Sequence, residues 1–145
     1  MKVIITGGGT GGHIYPAIAV ADKIRRKNPN CSILFVGTER GMERKLVPEN
    51  GYEIRFITVS GFNRKNLLKN VITLRDFLRG SKQVDRILKE FQPDMVIGTG
   101  GYVCAPVIRA ASRKGIRTFI HEQNAFPGLT NRILEKYVEK VLISF

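Results

Sequence analysis

Lys2-Val3-Ile4-Ile5-Thr6-Gly7-Gly8-Gly9-Thr10-Gly11-Gly12-His13-Ile14 decides how this chain is read. A short apolar run breaks into five glycines within six positions, and an amphipathic stretch containing Pro16 follows. An apolar run of that length bounded by glycine reads as a buried strand, and the stretch after it as a helix that tolerates Pro16 in its first turn. Glycines between the two let the backbone turn sharply and approach a ligand closely. The helix start behind them offers free N–H groups and a positive dipole end, which suit an anion such as a diphosphate.

The same alternation continues outward. Strands are expected at Lys2–Thr6, Ser32–Val36, Glu53–Val59, Met95–Gly98, Thr118–His121 and Lys140–Ser144. Helices are expected at Ile14–Arg26, Met42–Glu49, Leu67–Phe91, Ala105–Lys114 and Leu129–Tyr137. Strand–helix alternation of this kind predicts an α/β fold, a Rossmann-like doubly wound parallel sheet. With 145 residues the chain fits one domain, 1–145. Val141–Phe145 reads as a buried strand with nothing after it to cover one face, which points to a fragment of something longer.

Two further loops follow strands on the same edge. Gly98-Thr99-Gly100-Gly101-Tyr102 follows the fourth, and His121-Glu122-Gln123-Asn124 follows the fifth. Carboxyl ends of parallel strands are where open α/β sheets bind ligands, so the three loops should converge on one cleft. Gly7, Gly9 and Gly12 satisfy G-x-G-x-x-G, but no acidic residue ends the second strand, where Glu39 comes late. A dinucleotide-binding oxidoreductase is therefore disfavoured, as is a P-loop, because His13 and Ile14 stand where Lys and Ser/Thr belong. His13 suits a general base for a hydroxyl, a helix cap or a phosphate ligand. Glu122 could orient a sugar hydroxyl or bond loop backbone, and Cys104 reads as a packing residue. His13 and His121 are the only histidines and no carboxylate cluster accompanies them, so neither a metal nor another cofactor is expected.

Charge narrows the partner. Lys and Arg total 24 against 12 Asp and Glu, a formal +12, which favours an anionic partner. Basic residues are spread along the chain without the aromatic–basic pattern of an RNA binder, and nucleic acid is not expected. No apolar run is long enough to cross a bilayer, no signal peptide precedes the first strand, and two cysteines make no disulfide framework; the chain reads as cytosolic. Within the long helix, Leu67, Val71, Leu74, Leu78, Ser81 and Leu88 fall on one arc, expected to face the sheet. Leu68 and Ile72 fall off it, with Arg75 and Arg79 on their flank, a pattern suited to an anionic membrane surface.

Gly8–His13, Gly100–Val103, His121–Asn124 and Gly128-Leu129-Thr130-Asn131 together resemble the bacterial MurG family, in order and spacing over essentially the whole chain. The resemblance implies the N-terminal, acceptor-side half of a GT-B glycosyltransferase whose C-terminal, donor-binding domain is absent. It implies an inverting transfer of N-acetylglucosamine from UDP-N-acetylglucosamine to the undecaprenyl-diphosphate-linked N-acetylmuramyl-pentapeptide, lipid I to lipid II, in peptidoglycan synthesis. The enzyme would work peripherally at the cytoplasmic face of the bacterial inner membrane, and this chain alone would be inactive. His13 is similar to the family's candidate base and Glu122 to a cleft residue needed for activity. Thr10, Gly11, Gly12 and Asn124 would contribute to the donor site, and Gly8, Gly9, Gly100, Gly101 and Tyr102 to the acceptor's diphosphate. Thr99 and Cys104 depart from the family pattern without touching an implied role. The competing reading is a non-catalytic membrane-recruiting subunit of a two-chain N-acetylglucosamine transferase.

Overall fold

The computed structural model describes residues 1–61 and 67–144, with the side chains of 67–72 outside the described set. Six strands, β1 (Lys2–Thr6), β2 (Ser32–Gly37), β3 (Glu53–Phe56), β4 (Met95–Gly98), β5 (Arg117–Glu122) and β6 (Lys140–Ile143), form one parallel sheet in the order β3-β2-β1-β4-β5-β6. Five helices connect them: α1 (Gly11–Lys27), α2 (Glu43–Glu49), α3 (Leu67–Phe91), α4 (Cys104–Arg113) and α5 (Leu129–Leu134), the last followed by a 3-10 turn at Glu135–Tyr137. The expected doubly wound sheet is present.

The central strands are apolar because both faces are covered. Ile4, Leu34, Val96 and Ile120 point to one side, against Val84 and Leu88 of α3 and Val107 and Ile108 of α4. Val3, Ile5, Phe35 and Ile97 point to the other, against Ile14, Ala17 and Ala21 of α1 and Val47 of α2. Each fully buried Val, Leu or Ile contributes about 1.5–3 kcal/mol relative to exposure. At the far edge, Val141, Leu142 and Ile143 of β6 are exposed, so the strand read as buried is an uncovered sheet edge in this chain.

Boundaries moved where side chains or loops intervene. The expected β3 ends early: Ile57 N–H still bonds the Gly37 carbonyl, but Thr58 N–H turns to the Gln83 side chain at 2.6 Å. The first helix starts at Gly11 and not at Ile14, because the Thr10 carbonyl accepts from both His13 and Ile14 N–H.

The orientation expected for α3 is corrected. Leu74 and Leu78, placed on the sheet-facing arc, are 61% and 58% exposed. Val84, Ile87 and Leu88 are buried, and Gly80 packs so closely that a built Cβ would lie 2.5 Å from the Thr58 carbonyl oxygen. That contact fixes the rotation of the helix, leaving Leu74 and Leu78 on the outer side at about 100° per residue. Leu68 and Ile72 lie outside the described side chains.

The rotation makes a paired prediction. Glycine to alanine within a helix ordinarily stabilises by up to about 1 kcal/mol, but here overpacking against backbone should win by about 1–3 kcal/mol. Denaturant titration should find Gly80→Ala destabilised, while Leu74→Ser with Leu78→Ser stays within about 1 kcal/mol of the parent.

Candidate functional site

The sheet order reverses between β1 and β4, and both strands end in glycine loops at that switch point. The two loops meet backbone to backbone. Gly8 N–H donates to the Gly100 carbonyl at 3.3 Å. Gly101, at φ +86°, lies so close to the Gly8 carbonyl that no Cβ fits between them. A left-handed φ and a missing side chain are both demanded at one position, which glycine alone supplies without strain.

This contact sorts the amides of the site. Gly8 N–H is used by Gly100, and Gly9 N–H donates to Glu43 Oε2 at 3.0 Å. Gly8 is buried against Glu43 and Val103, so only Gly9 leaves an anion room, and neither supplies a donor. Among the described residues, the N–H groups of Gly11 and Gly12 in the first turn of α1, and of Gly100, Gly101 and Tyr102 ahead of α4, bond no protein acceptor. Thr10 sits at the N-cap with its side chain exposed and making no capping bond. Two sets of free donors and two helix starts thus flank one cleft, an arrangement that binds phosphate groups.

His13 stands in the first turn of α1. Its Nδ1 lies 3.1 Å from the Thr99 carbonyl, and Thr99 Oγ1 donates to the His13 carbonyl at 2.8 Å. A carbonyl only accepts, so Nδ1 carries the proton and Nε2 keeps its lone pair. Gln123 closes the ring from a third loop, its amide nitrogen placed 2.9 Å from Nδ1 while its buried Oε1 has no partner. With Nδ1 protonated, the amide turned oxygen-first also accepts from Nδ1–H, and its NH2 then takes the buried position that has no partner.

Two buried carboxylates brace the loops. Glu122, 3% exposed at the end of β5, accepts from Asn124 N–H (2.9 Å) and Asn124 Nδ2 (2.9 Å) on Oε1. Its Oε2 accepts from Gly128 N–H (3.1 Å) and Asn131 Nδ2 (2.8 Å). Burial pushes this carboxyl up, but the donors on Asn124, Asn131 and Gly128 outweigh it and hold the group below its ordinary range. It is a fixed anion shaping the Asn124 loop. Glu43, 1% exposed in α2, accepts from Gly9 N–H, Thr38 N–H (2.9 Å) and Thr38 Oγ1 (2.8 Å).

The cleft gathers the glycine-loop residues Gly8, Gly9, Thr10, Gly11, Gly12, Gly100, Gly101 and Tyr102 around His13, and Gln123 of the β5 loop joins them. Glu122 and Asn124 are brought together on that same β5 loop. Arg75 and Arg79 are exposed on α3 and make no contact with His13. His121 pairs with Ser144 through Nε2 at 3.1 Å, and Cys104 is buried, its thiol pushed up to about 12 by burial. Glu43, Thr99 and Gln123 were missed as functional residues. The first acid after β2 is the exposed Glu39, and no local spacing ties residue 43 to residue 9. Gln123 stood inside a quoted motif without a role.

Glu122 gives a signed prediction. Glu122→Ala strands four donors and should cost about 2–4 kcal/mol at neutral pH. A carboxyl depressed on folding contributes fully above its unfolded value and loses that contribution as pH falls through its folded value. Urea melts should therefore show the gap between parent and Glu122→Gln narrowing below about pH 4.

Comparison with known proteins places this geometry. The N-terminal domain of glycosyltransferase family 28 matches residues 3–143. The UDP-N-acetylglucosamine--N-acetylmuramyl-(pentapeptide) pyrophosphoryl-undecaprenol N-acetylglucosamine transferase of Alkaliphilus oremlandii is 57% identical over all 145 residues, and that of Bacillus subtilis 52%. The chain spans 40% of the length of each of these curated relatives. The crystal structure of Acinetobacter baumannii MurG superposes over 99% of this chain and 41% of that one, with a TM-score of 0.86 and 34% identity. The Streptomyces glycosyltransferase SsfS6, at 14% identity and a TM-score of 0.66, shares the fold alone. With sequence, fold and glycine loops in agreement, the chain belongs to glycosyltransferase family 28, of which it carries the N-terminal domain.

Proposed function

We propose that this chain, 1–145, is the acceptor-side half of an inverting, UDP-N-acetylglucosamine-dependent hexosyltransferase of peptidoglycan synthesis. Its acceptor is the undecaprenyl-diphosphate-linked N-acetylmuramyl-pentapeptide, as in the names of the curated relatives. The donor pocket is completed by a C-terminal domain. The observation that supports this reading is His13, its Nδ1 facing the Thr99 carbonyl and the Gln123 side chain, between two sets of unpaired N–H groups.

The chemistry follows from that placement. The acceptor's diphosphate lies against Gly9 and Gly100–Tyr102, on the loop that Gly8 anchors, drawing hydrogen bonds from the second loop's free amides. His13 Nε2 takes the proton of the attacking sugar hydroxyl as its oxygen bonds to the anomeric carbon of N-acetylglucosamine. The bond to UDP breaks on the opposite face, which inverts the centre without a covalent intermediate. Thr10, the Gly11 and Gly12 amides and Asn124 meet the donor across the cleft. Positive helix starts stabilise the charge developing on the departing diphosphate. Glu122 acts through Asn124 as a positioning residue.

Membrane contact is proposed for the outer face of α3. Leu74 and Leu78 are exposed there, among the exposed Arg75, Arg79 and Lys82. Apolar tips among cations suit the boundary of an anionic bilayer, where each cation adds about 1 kcal/mol, weakened by salt. No described helix is long and apolar enough to cross a membrane, so contact would be peripheral, at the cytoplasmic leaflet that holds the substrate.

Two measurements test the proposal. In the enzyme joined to its donor-side domain, His13→Ala should lower turnover by about a hundredfold or more with little change in the thermal midpoint. Near-parental turnover would remove the base. Sedimentation with anionic vesicles should fall in high salt and with Leu74→Ser plus Leu78→Ser; equal binding to neutral vesicles would place the contact elsewhere.

A further inference from the structure

A second concavity lies beside the glycine loops. It is a polar groove of about 670 Å³ between the loop after β2, the segment after β3 and α3. Its walls are pinned by hydrogen bonds from Thr58 N–H to Gln83 Oε1 at 2.6 Å and from Ser60 Oγ to Asp76 Oδ2 at 3.0 Å. Arg40 and Arg79 line it. Neither guanidinium has an ion-pair or hydrogen-bond partner among the described residues, whereas Arg55 and Arg117 are paired with carboxylates.

The groove adjoins the phosphate loops. Gly61, in its lining, lies near the Tyr102 ring, 3.5 Å from a built Cβ, and Gly9 lies 3.6 Å from the same ring by the same measure. The groove and the first glycine loop therefore neighbour each other at Tyr102, within reach of one extended ligand. Guanidinium groups form forked, charge-assisted hydrogen bonds with carboxylates. The exposed Glu39, also on the wall, offers a counter-charge to an ammonium group.

We infer that this groove is a subsite for the peptide of the acceptor, with Arg40 and Arg79 holding its free carboxylates. The inference rests on the acceptor proposed above. It makes the groove a specificity element: the glycine loops hold the diphosphate, and the groove distinguishes acceptors that carry a peptide from those that do not.

The test uses the full-length transferase and two acceptors with a short, water-soluble lipid, which removes any contribution of a bilayer through Arg79. One acceptor bears the peptide with free carboxylates; the other bears the sugar without peptide. The parent enzyme should favour the peptide-bearing acceptor in kcat/KM, and Arg40→Gln and Arg79→Gln should each shrink that ratio about tenfold, as expected for the loss of one charge-assisted bond. KM for UDP-N-acetylglucosamine should stay at its parental value. A parent enzyme indifferent to the peptide, or a ratio unchanged in both variants, overturns the subsite while leaving the transferase reading intact. Absence of transfer to either acceptor by the parent enzyme overturns the transferase reading itself.

Discussion

The close approach of Gly8 and Gly101 is the constraint on which the site depends. Two loops from adjacent strands touch through their backbones, with Gly8 N–H on the Gly100 carbonyl and no room for a Cβ on Gly101. Because the loops meet, the Thr99 carbonyl reaches His13 and sets its tautomer. Because Gly8 and Gly9 spend their amides on this assembly, the free donors are left at the two helix starts, where the dipoles already favour an anion. Loop packing, the surroundings of His13 Nδ1 and the placement of the free amides follow from one contact.

The loops are braced by anions placed behind them. Glu43 ties the first glycine loop to the end of β2, and Glu122 ties the third loop to α5. Neither has a cationic partner among the described residues; backbone and amide N–H groups satisfy both. A buried carboxylate is tolerable only with its oxygens satisfied, so each holds its donors firmly. Cations are kept for the outer surfaces, on α3 and along the groove.

The sheet was legible because its strands are continuous apolar runs, and their glycine endings marked the ligand edge. The placement of the motifs was legible too: His13, the glycines and the Glu122–Asn124 turn all follow strand ends. The rotation of α3 was not. Leucines at 67, 74, 78 and 88 form a convincing stripe, yet the helix is turned by the contact of Gly80 with the Thr58 carbonyl, a pairing no periodicity reports. Glu43 and Gln123 were hidden for the same reason, since each acts on a residue 34 or 110 positions away.

The state of the His13 ring tests the account most directly. In the full-length enzyme labelled with nitrogen-15, the ring resonances of neutral His13 should show the proton on Nδ1 and a bare Nε2. Thr99→Gly, which keeps the carbonyl, should leave that pattern in place. A neutral ring protonated on Nε2 would contradict the account, because the nitrogen assigned to take the hydroxyl proton would already hold one.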